Sequence, residues 1–410
     1  MKIHLVSLAL VALLVAGLPQ TTRAAPQQLA RASGDQIPAR LQAMTLAKSA
    51  TSSLDRTPSA TSWAIDPDAV LDAQPISFVR ESREYWIDAN AAELQRGLDL
   101  STSAVGALVR LSPVAGNAGT IDPATLSFRA NGKTYASSEA VRHVADQDAL
   151  RAAGMDVPQG TLVLKLADAL GIGKIELIVP TASGTYLVHV FEPQSSIVLK
   201  LKAERDTVIA GEAIAFRAIV EGPARLDGLR GLVSSPDGHS QAIDFVRQAD
   251  GSFTASATPP ASHAGSPGLW EVHAFGIAVN RTLSVQRDAR SAFAVSVATA
   301  RLDGSIERLA DARKASDVKL RVGVESADSS RYQLAGVLYA TTPDGHLRPV
   351  ATAHSAAWLD AGRGTIDLRF DAESLAKSGA HAPFELRDLR LINQADMSLI
   401  ERRERAIEVR

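Results

Sequence analysis

The chain has 410 residues, 46% hydrophobic and 21% charged, the balance of a folded globular protein with length for two to three domains. Its formal net charge of −2 supplies none of the basic excess that nucleic acid or an anionic membrane would attract. It contains no cysteine, which excludes disulfides, thiolate zinc sites, a cysteine nucleophile and a lipid anchor on Cys.

Residues 1–24 read as a secretory signal peptide. Lys2 and His4 make a short basic start, Leu5 to Leu18 is a small-to-apolar run, and Thr22-Arg23-Ala24 places small residues ahead of the cleavage point. The run falls short of the roughly 18–20 residues of a membrane span, and no later segment is apolar enough, so no span is expected after cleavage. Cleavage would remove Lys2 and Arg23 and no acid, taking the net charge from −2 to −4. The expected location is periplasmic or extracellular.

Residues 25–70 read as a poorly ordered lead-in, dominated by Ala, Ser, Thr, Gln and Pro without a sustained period. Pro38 to Lys48 is expected to form a short helix. Trp63, in a polar stretch, is expected to fold back onto the adjoining domain; the alternative is an exposed anchor for a partner.

Residues 71–193 form a first domain of strands beginning at Ile76, Ser82, Ala107, Thr125, Thr161, Lys174 and Thr185. Asn131-Gly132 is a hairpin turn, since both residues accept positive φ. Two helical pieces interrupt: Ala91 to Arg96, and Ser138 to Ala153 with Ser138 as N-cap, Gly154 as terminator and Val141, Val144 and Leu150 as its apolar stripe. A polar hinge from Glu192 to Ser196 leads into a second domain, 197–301. There Ile214, Phe216, Ala218 and Val220 share one face and Ala215, Arg217 and Ile219 the other, the period of two that marks a strand. The third domain is 302–410. Ser235-Pro-Asp-Gly-His239 is echoed by Thr342-Pro-Asp-Gly-His346, and Trp270-Glu-Val by Phe384-Glu-Leu, so the last two domains read as repeats. Pro fixes φ at the first corner of each turn and Gly accepts the positive φ that follows. The fold class is mainly β: three consecutive β-sandwich domains, the last two immunoglobulin-like, with a small helical insertion in the first.

On these turns, together with Gly251-Ser-Phe-Thr-Ala, Pro267-Gly-Leu-Trp-Glu-Val, Ser82-Arg-Glu-Tyr-Trp and Gly106-Ala-Leu-Val-Arg-Leu-Ser-Pro, the chain resembles a family of uncharacterised exported bacterial proteins. Those pair an N-terminal β domain with tandem immunoglobulin-like domains. The resemblance implies a fold and carries no catalytic residue across.

The chemistry-bearing residues are sparse. There is no His-Glu-x-x-His and no Gly-x-Ser-x-Gly, and Ser316-Asp-Val-Lys319 fits Ser-x-x-Lys only by spelling. His143, Asp146 and Asp148 are candidate metal ligands, set against the plainer reading of charges on a solvated helix. Asp66, Asp68 and Asp72 offer oxygens for Ca²⁺ but lack the Gly and Glu of an EF-hand loop. His189 and His273 read as satisfied strand histidines, Trp86 and Trp270 as core. Trp63 and Trp358 are the candidate binding residues. The expected function is non-catalytic binding or scaffolding of a protein or glycan partner, with no cofactor and no nucleic acid. The alternatives are an enzyme or accessory module of a secreted hydrolase with its site in the first domain, and a divalent-metal-stabilised adhesin.

Overall fold

A computed structural model describes residues 26–44, 54–66, 68–71, 78–114, 119–309, 317–376, 378–379 and 381–409. The signal-peptide reading, Asp72 and Ser316 lie outside them. Within them the chain is mainly β, arranged as five sheets whose pairings are almost wholly antiparallel.

The lead-in differs from the expectation of poor order. It carries β1 (Gln27–Gln28) and β2 (Ser59–Ala64), and no helix forms over its described residues 38–44. Both strands belong to the far end of the chain, where they bound one sheet on its two edges.

The first domain opens with β3 (Arg80–Ser82) and β4 (Glu84–Asn90), then α1 (Ala91–Arg96), where Asn90 and Glu93 cap each other reciprocally. Next come β5 (Leu98–Thr102), β6 (Leu108–Pro113), β7 (Ser127–Ala130) and β8 (Lys133–Ala136). Asn131 and Gly132, at φ 51° and 74°, make the expected tight turn between β7 and β8. The helix expected over 138–153 is instead three pieces: α2 (Ser137–Ala140), β9 (Val141–Asp146) and α3 (Gln147–Ala152). Two causes are visible. The side chain of Asp146 accepts the Ala149 amide at 2.9 Å and so starts a new helix, and residues 141–146 pair with β10 (Leu162–Leu166). The supposed apolar stripe dissolves accordingly: Leu150 is buried, whereas Val144 is exposed. β11 (Gly173–Ile178) and β12 (Thr185–Phe191) complete the domain.

The second domain contains β13 (Val198–Ala203), β14 (Thr207–Ile209), β15 (Ile214–Glu221), β16 (Arg225–Ser234), β17 (Ser240–Asp244), β18 (Val246–Arg247), β19 (Phe253–Ala257), β20 (Trp270–Val279) and β21 (Ser284–Ser296). The third contains β22 (Ala300–Leu309), β23 (Val318–Ser326), β24 (Ser330–Thr341), β25 (Leu347–Leu359), β26 (Gly362–Phe370), α4 (Ala372–Ala376), β27 (His381–Asn393) and β28 (Ser398–Val409).

The repeat is visible in the topology. The run β17-β16-β20-β21 of the second domain corresponds to β25-β24-β27-β28 of the third, and β13-β15-β19 to β22-β23-β26. The two Pro-Asp-Gly turns match bond for bond. Ser235 N donates to His239 O at 2.8 Å and Thr342 N to His346 O at 2.9 Å, while Asp237 and Asp344 each accept the hydroxyl two residues back. Those bonds draw the Asp344 carboxyl down to about 2, led by the Thr342 hydroxyl.

The first two domains are joined more closely than a hinge would join them. Asp288 of β21 pairs with Glu84 of β4, so one ten-stranded sheet runs through both, and β3 leaves its own domain to pair with β13. Their interiors form one continuous core, from Leu111 and Phe128 to Phe216, Trp270 and Phe293. The third domain has a separate core around Leu320, Tyr332, Leu368 and Leu386.

Candidate functional sites at the two junctions

Where β21 meets β4, the outer face of the shared sheet carries a polar and aromatic ledge. Glu84 and Asp288 are cross-strand partners there. Glu84 Oε2 meets His189 Nε2 at 2.9 Å and Glu84 Oε1 accepts from Arg80 at 2.8 Å. The buried Asp288 accepts the Trp86 backbone amide at 3.0 Å, and its Oδ2 lies 3.6 Å from His273 Nε2. That distance is too long for a hydrogen bond, and His273 Nε2 is buried without one. Trp86 stands between the two imidazoles. It stacks on His189 with centroids 4.9 Å apart and planes 11° from parallel, and takes His273 edge-on at 6.0 Å. The Arg290 guanidinium lies 4.7 Å from the Trp86 ring centroid.

Chemically, this is one hydrogen-bonded carboxylate–imidazole couple, Glu84 with His189, beside a second carboxylate and imidazole that do not bond, around a half-buried indole. The Ser82 hydroxyl beside them is buried and donates to the Asp288 carbonyl, so it is not poised as a nucleophile. Burial works to raise the Glu84 carboxyl, but the His189 and Arg80 hydrogen bonds outweigh it and hold the group below its ordinary value of 4.5. A carboxylate lowered in this way stabilises the fold above its unfolded value, and that contribution fades as pH falls through the folded value. Urea unfolding as a function of pH is therefore expected to show a smaller acid-side loss for Glu84→Gln than for the parent. An unchanged slope would remove Glu84 from the acid response.

Behind the ledge, Arg287 and Glu192 form an ion pair at 2.6 Å whose two side chains are fully buried. Each remaining group is engaged: Arg287 also donates to the Ile197 and Gln286 carbonyls and to the Ser103 and Ser195 hydroxyls, and Glu192 accepts the Ser103 and Ala104 amides. The pair ties the first domain, the hinge and β21 together.

The second junction lies between the second and third domains and is bridged by the lead-in. Gln36 accepts the Thr207 hydroxyl at 2.9 Å and donates to the Leu399 carbonyl at 3.0 Å. Gln42 N donates to Ala298 O, and Met44 N to Asp328. A cleft of about 440 Å³ opens beside this crossing, lined by the lead-in, the β13–β14 connection and the outer ends of β27 and β28.

Family models for DUF4785, a domain of unknown function, match this chain at residues 50–192 with the N-terminal domain and at 299–410 with the C-terminal domain. The chain belongs to the DUF4785 family. A crystal structure of a DUF4785 family protein from Legionella pneumophila is similar over 91% of this chain and 98% of that one, with a TM-score of 0.72 at 20% identity, a likeness of fold. A trypsin-activated alpha-2-macroglobulin from Escherichia coli aligns with 71% of this chain and 21% of its own at 12% identity, with a TM-score of 0.19. No curated protein matches.

Within this DUF4785 fold, the residues singled out from sequence do not converge. His143 sits on β9 rather than on a helix and faces solvent beside Lys165; Asp146 is spent on its helix cap, and exposed Asp148 contacts Gln147. His143 and Glu84 share a sheet face, but four strand spacings, roughly 19 Å, separate them. Among the described residues no group of three or more His, Cys, Asp or Glu is placed to hold a metal ion. Trp63 lies on β2 against the third domain, edge-on to His354 at 5.3 Å and half exposed. Trp358 on β25 is covered by Arg56 at 4.2 Å and donates to Asp360. Trp270 is buried as core, whereas Trp86 belongs to the half-open ledge. Sequence reading missed the ledge because its members come from β4, β12, β20 and β21, which only the paired sheets bring together.

Proposed function

We propose that this protein is a non-catalytic binding or scaffolding protein, acting through its surfaces in the periplasm or outside the cell. The observation that carries this reading is how the domains are joined: a shared sheet and core unite the first two, and the lead-in ties the second to the third, leaving a cleft at that junction. A body joined this way holds residues from distant parts of the chain in fixed relation, which suits recognition by a preorganised surface. The solvated scatter of His143, Asp146 and Asp148 favours binding over a hydrolase site in the first domain.

The test is a panel of ester, peptide and glycoside substrates with the purified mature chain. No turnover above blank is expected. Robust turnover that Glu84→Gln or Asp288→Asn abolishes would replace this reading with an enzymatic one. Fractionation of cells expressing the chain with and without residues 1–24 tests export, and retention of both forms in the cytoplasm would end that part of the proposal.

A further inference from the structure

We propose that the free edge of β9 joins two copies of this chain, strand to strand and antiparallel, with Val144 on the two-fold axis. β9 ends the ten-stranded sheet, and among the described residues β10 is the only strand paired with it. The backbone groups on its far side therefore offer an open template to another strand. The proposal goes beyond the binding reading above and stands on this edge alone.

Side-chain placement says which strand fits. Val144 lies opposite Leu164, a fully buried core residue, and so belongs to the inward face of the sheet, yet it is 47% exposed. An inward apolar side chain left uncovered at the end of a sheet is where one more strand would continue the core. By the alternation of a strand, Arg142 and Asp146 share that face with Val144. An antiparallel copy centred on Val144 sets Val144 against its own counterpart and each Arg142 against the partner's Asp146, and opposite charges directly across a strand pair are stabilising. A two-fold centred on His143 would put Arg142 against Val144, and one centred on Ala145 would put Val144 against Asp146, so the Val144 centre is the one that matches charge to charge. Both charges have capacity to spare. Arg142 meets Asp168 in a single contact of 3.2 Å with both side chains 55% exposed, which contributes little and leaves donors of its fork unused. Asp146 spends one oxygen on the Ala149 amide and makes no ion pair among the described residues. The slip in the β9–β10 register falls between Val141 and His143, so residues 143–146 stay regular and the long Arg142 side chain reaches across the bend. At the other end of the same sheet, β17 paired with itself would set Ser240 against Asp244 and Gln241 against Ile243, with no opposite charges to hold it.

Six residues a side make a small interface, so a weak dimer with Kd of about 0.1 mM is expected. Sedimentation equilibrium of the mature chain from about 10 µM to about 1 mM tests it. Val144→Lys, a change at an exposed position, should leave a folded monomer, because two ammonium groups would meet on the axis. Arg142→Asp and Asp146→Arg should each weaken self-association about tenfold, and mixing the two variants should restore it, since every charge then faces its opposite. Asp146→Arg also removes a helix cap, so circular dichroism is recorded for every variant, and Val144→Lys with Arg142→Asp decides the matter if that one unfolds. The chain has no cysteine, so Val144→Cys carries a single thiol, which should form a disulfide with its own counterpart under mild oxidation. Thr134→Cys, exposed on the edge strand β8, should stay unlinked under the same conditions. A monomer throughout the range, a dimer indifferent to Val144→Lys, folded charge variants that fail to rescue each other, or equal linking at both thiols would overturn the proposal.

Discussion

Arg287→Ala is expected to cost about 3–5 kcal/mol of unfolding free energy. The Arg287 and Glu192 side chains have no exposure, so removing the cation leaves a buried carboxylate in the junction with no charge partner among the described residues. The loss does not stop at the pair. The Ile197 and Gln286 carbonyls lose their charged donor, and the Ser103 and Ser195 hydroxyls lose the guanidinium from which both accept. Denaturant unfolding measures the cost. A double variant, Arg287→Met with Glu192→Leu, is expected to lose less than the two single losses combined, because no isolated charge remains. It should still fall short of the parent, since the Ser103 and Ala104 amides that Glu192 caps lose their acceptor. A single variant within 1 kcal/mol of the parent would mean that water enters the junction and that the shared sheet, not the ion pair, holds the first two domains together.

The same junction marks how far the sequence could be read. Alternation from Ile214 to Ala218 locates a strand because each side chain there is half of a two-sided pattern, buried and solvated in turn. Each Pro-Asp-Gly turn is legible because its bonds close within five residues. The ion pair is not: Glu192 and Arg287 are 95 positions apart, and either alone reads as a surface charge near a strand end. The break at Val141 was hidden for a related reason. Residues 138–153 favour a helix by composition, and only the edge of β10 supplies the partner that makes 141–146 a strand. Of the two candidate sites, the ledge residues His189, His273 and Trp86 were noticed one by one, but their shared register with Glu84 and Asp288 depends on strand order, which no local pattern encodes.

The lead-in is the extreme case, and it sets the second large effect. Ser59 to Ala64 has little apolar period, yet it pairs over its whole length with β25, nearly 300 residues away, and with β1 it covers both edges of the six-stranded sheet. Arg331 fastens it. This mostly buried side chain donates to the carbonyls of Asp55 at 2.6 Å and Thr57 at 2.7 Å, to the Ser59 hydroxyl at 2.9 Å and to Gln394 at 2.7 Å. Arg331→Ala is expected to cost about 3 kcal/mol, since hydrogen bonds from a charged donor contribute about 1.5–3 kcal/mol each and the loss spreads over a strand that can partly stay in place. Limited proteolysis should then cut within 54–66, and Arg331→Lys should restore less than half the loss, because an ammonium cannot span the same carbonyls in one plane. Residues 299–410 expressed alone should associate through their two bare sheet edges, and a synthetic peptide of residues 54–66, which covers the β25 edge and leaves the β28 edge bare, should stabilise them and reduce the association to dimers. If the isolated segment is monomeric and equally stable with and without the peptide, β2 is a passenger on that edge. If the peptide rescues it, the third domain is completed by residues from the other end of the chain, and its folding waits on a segment that composition alone marks as filler.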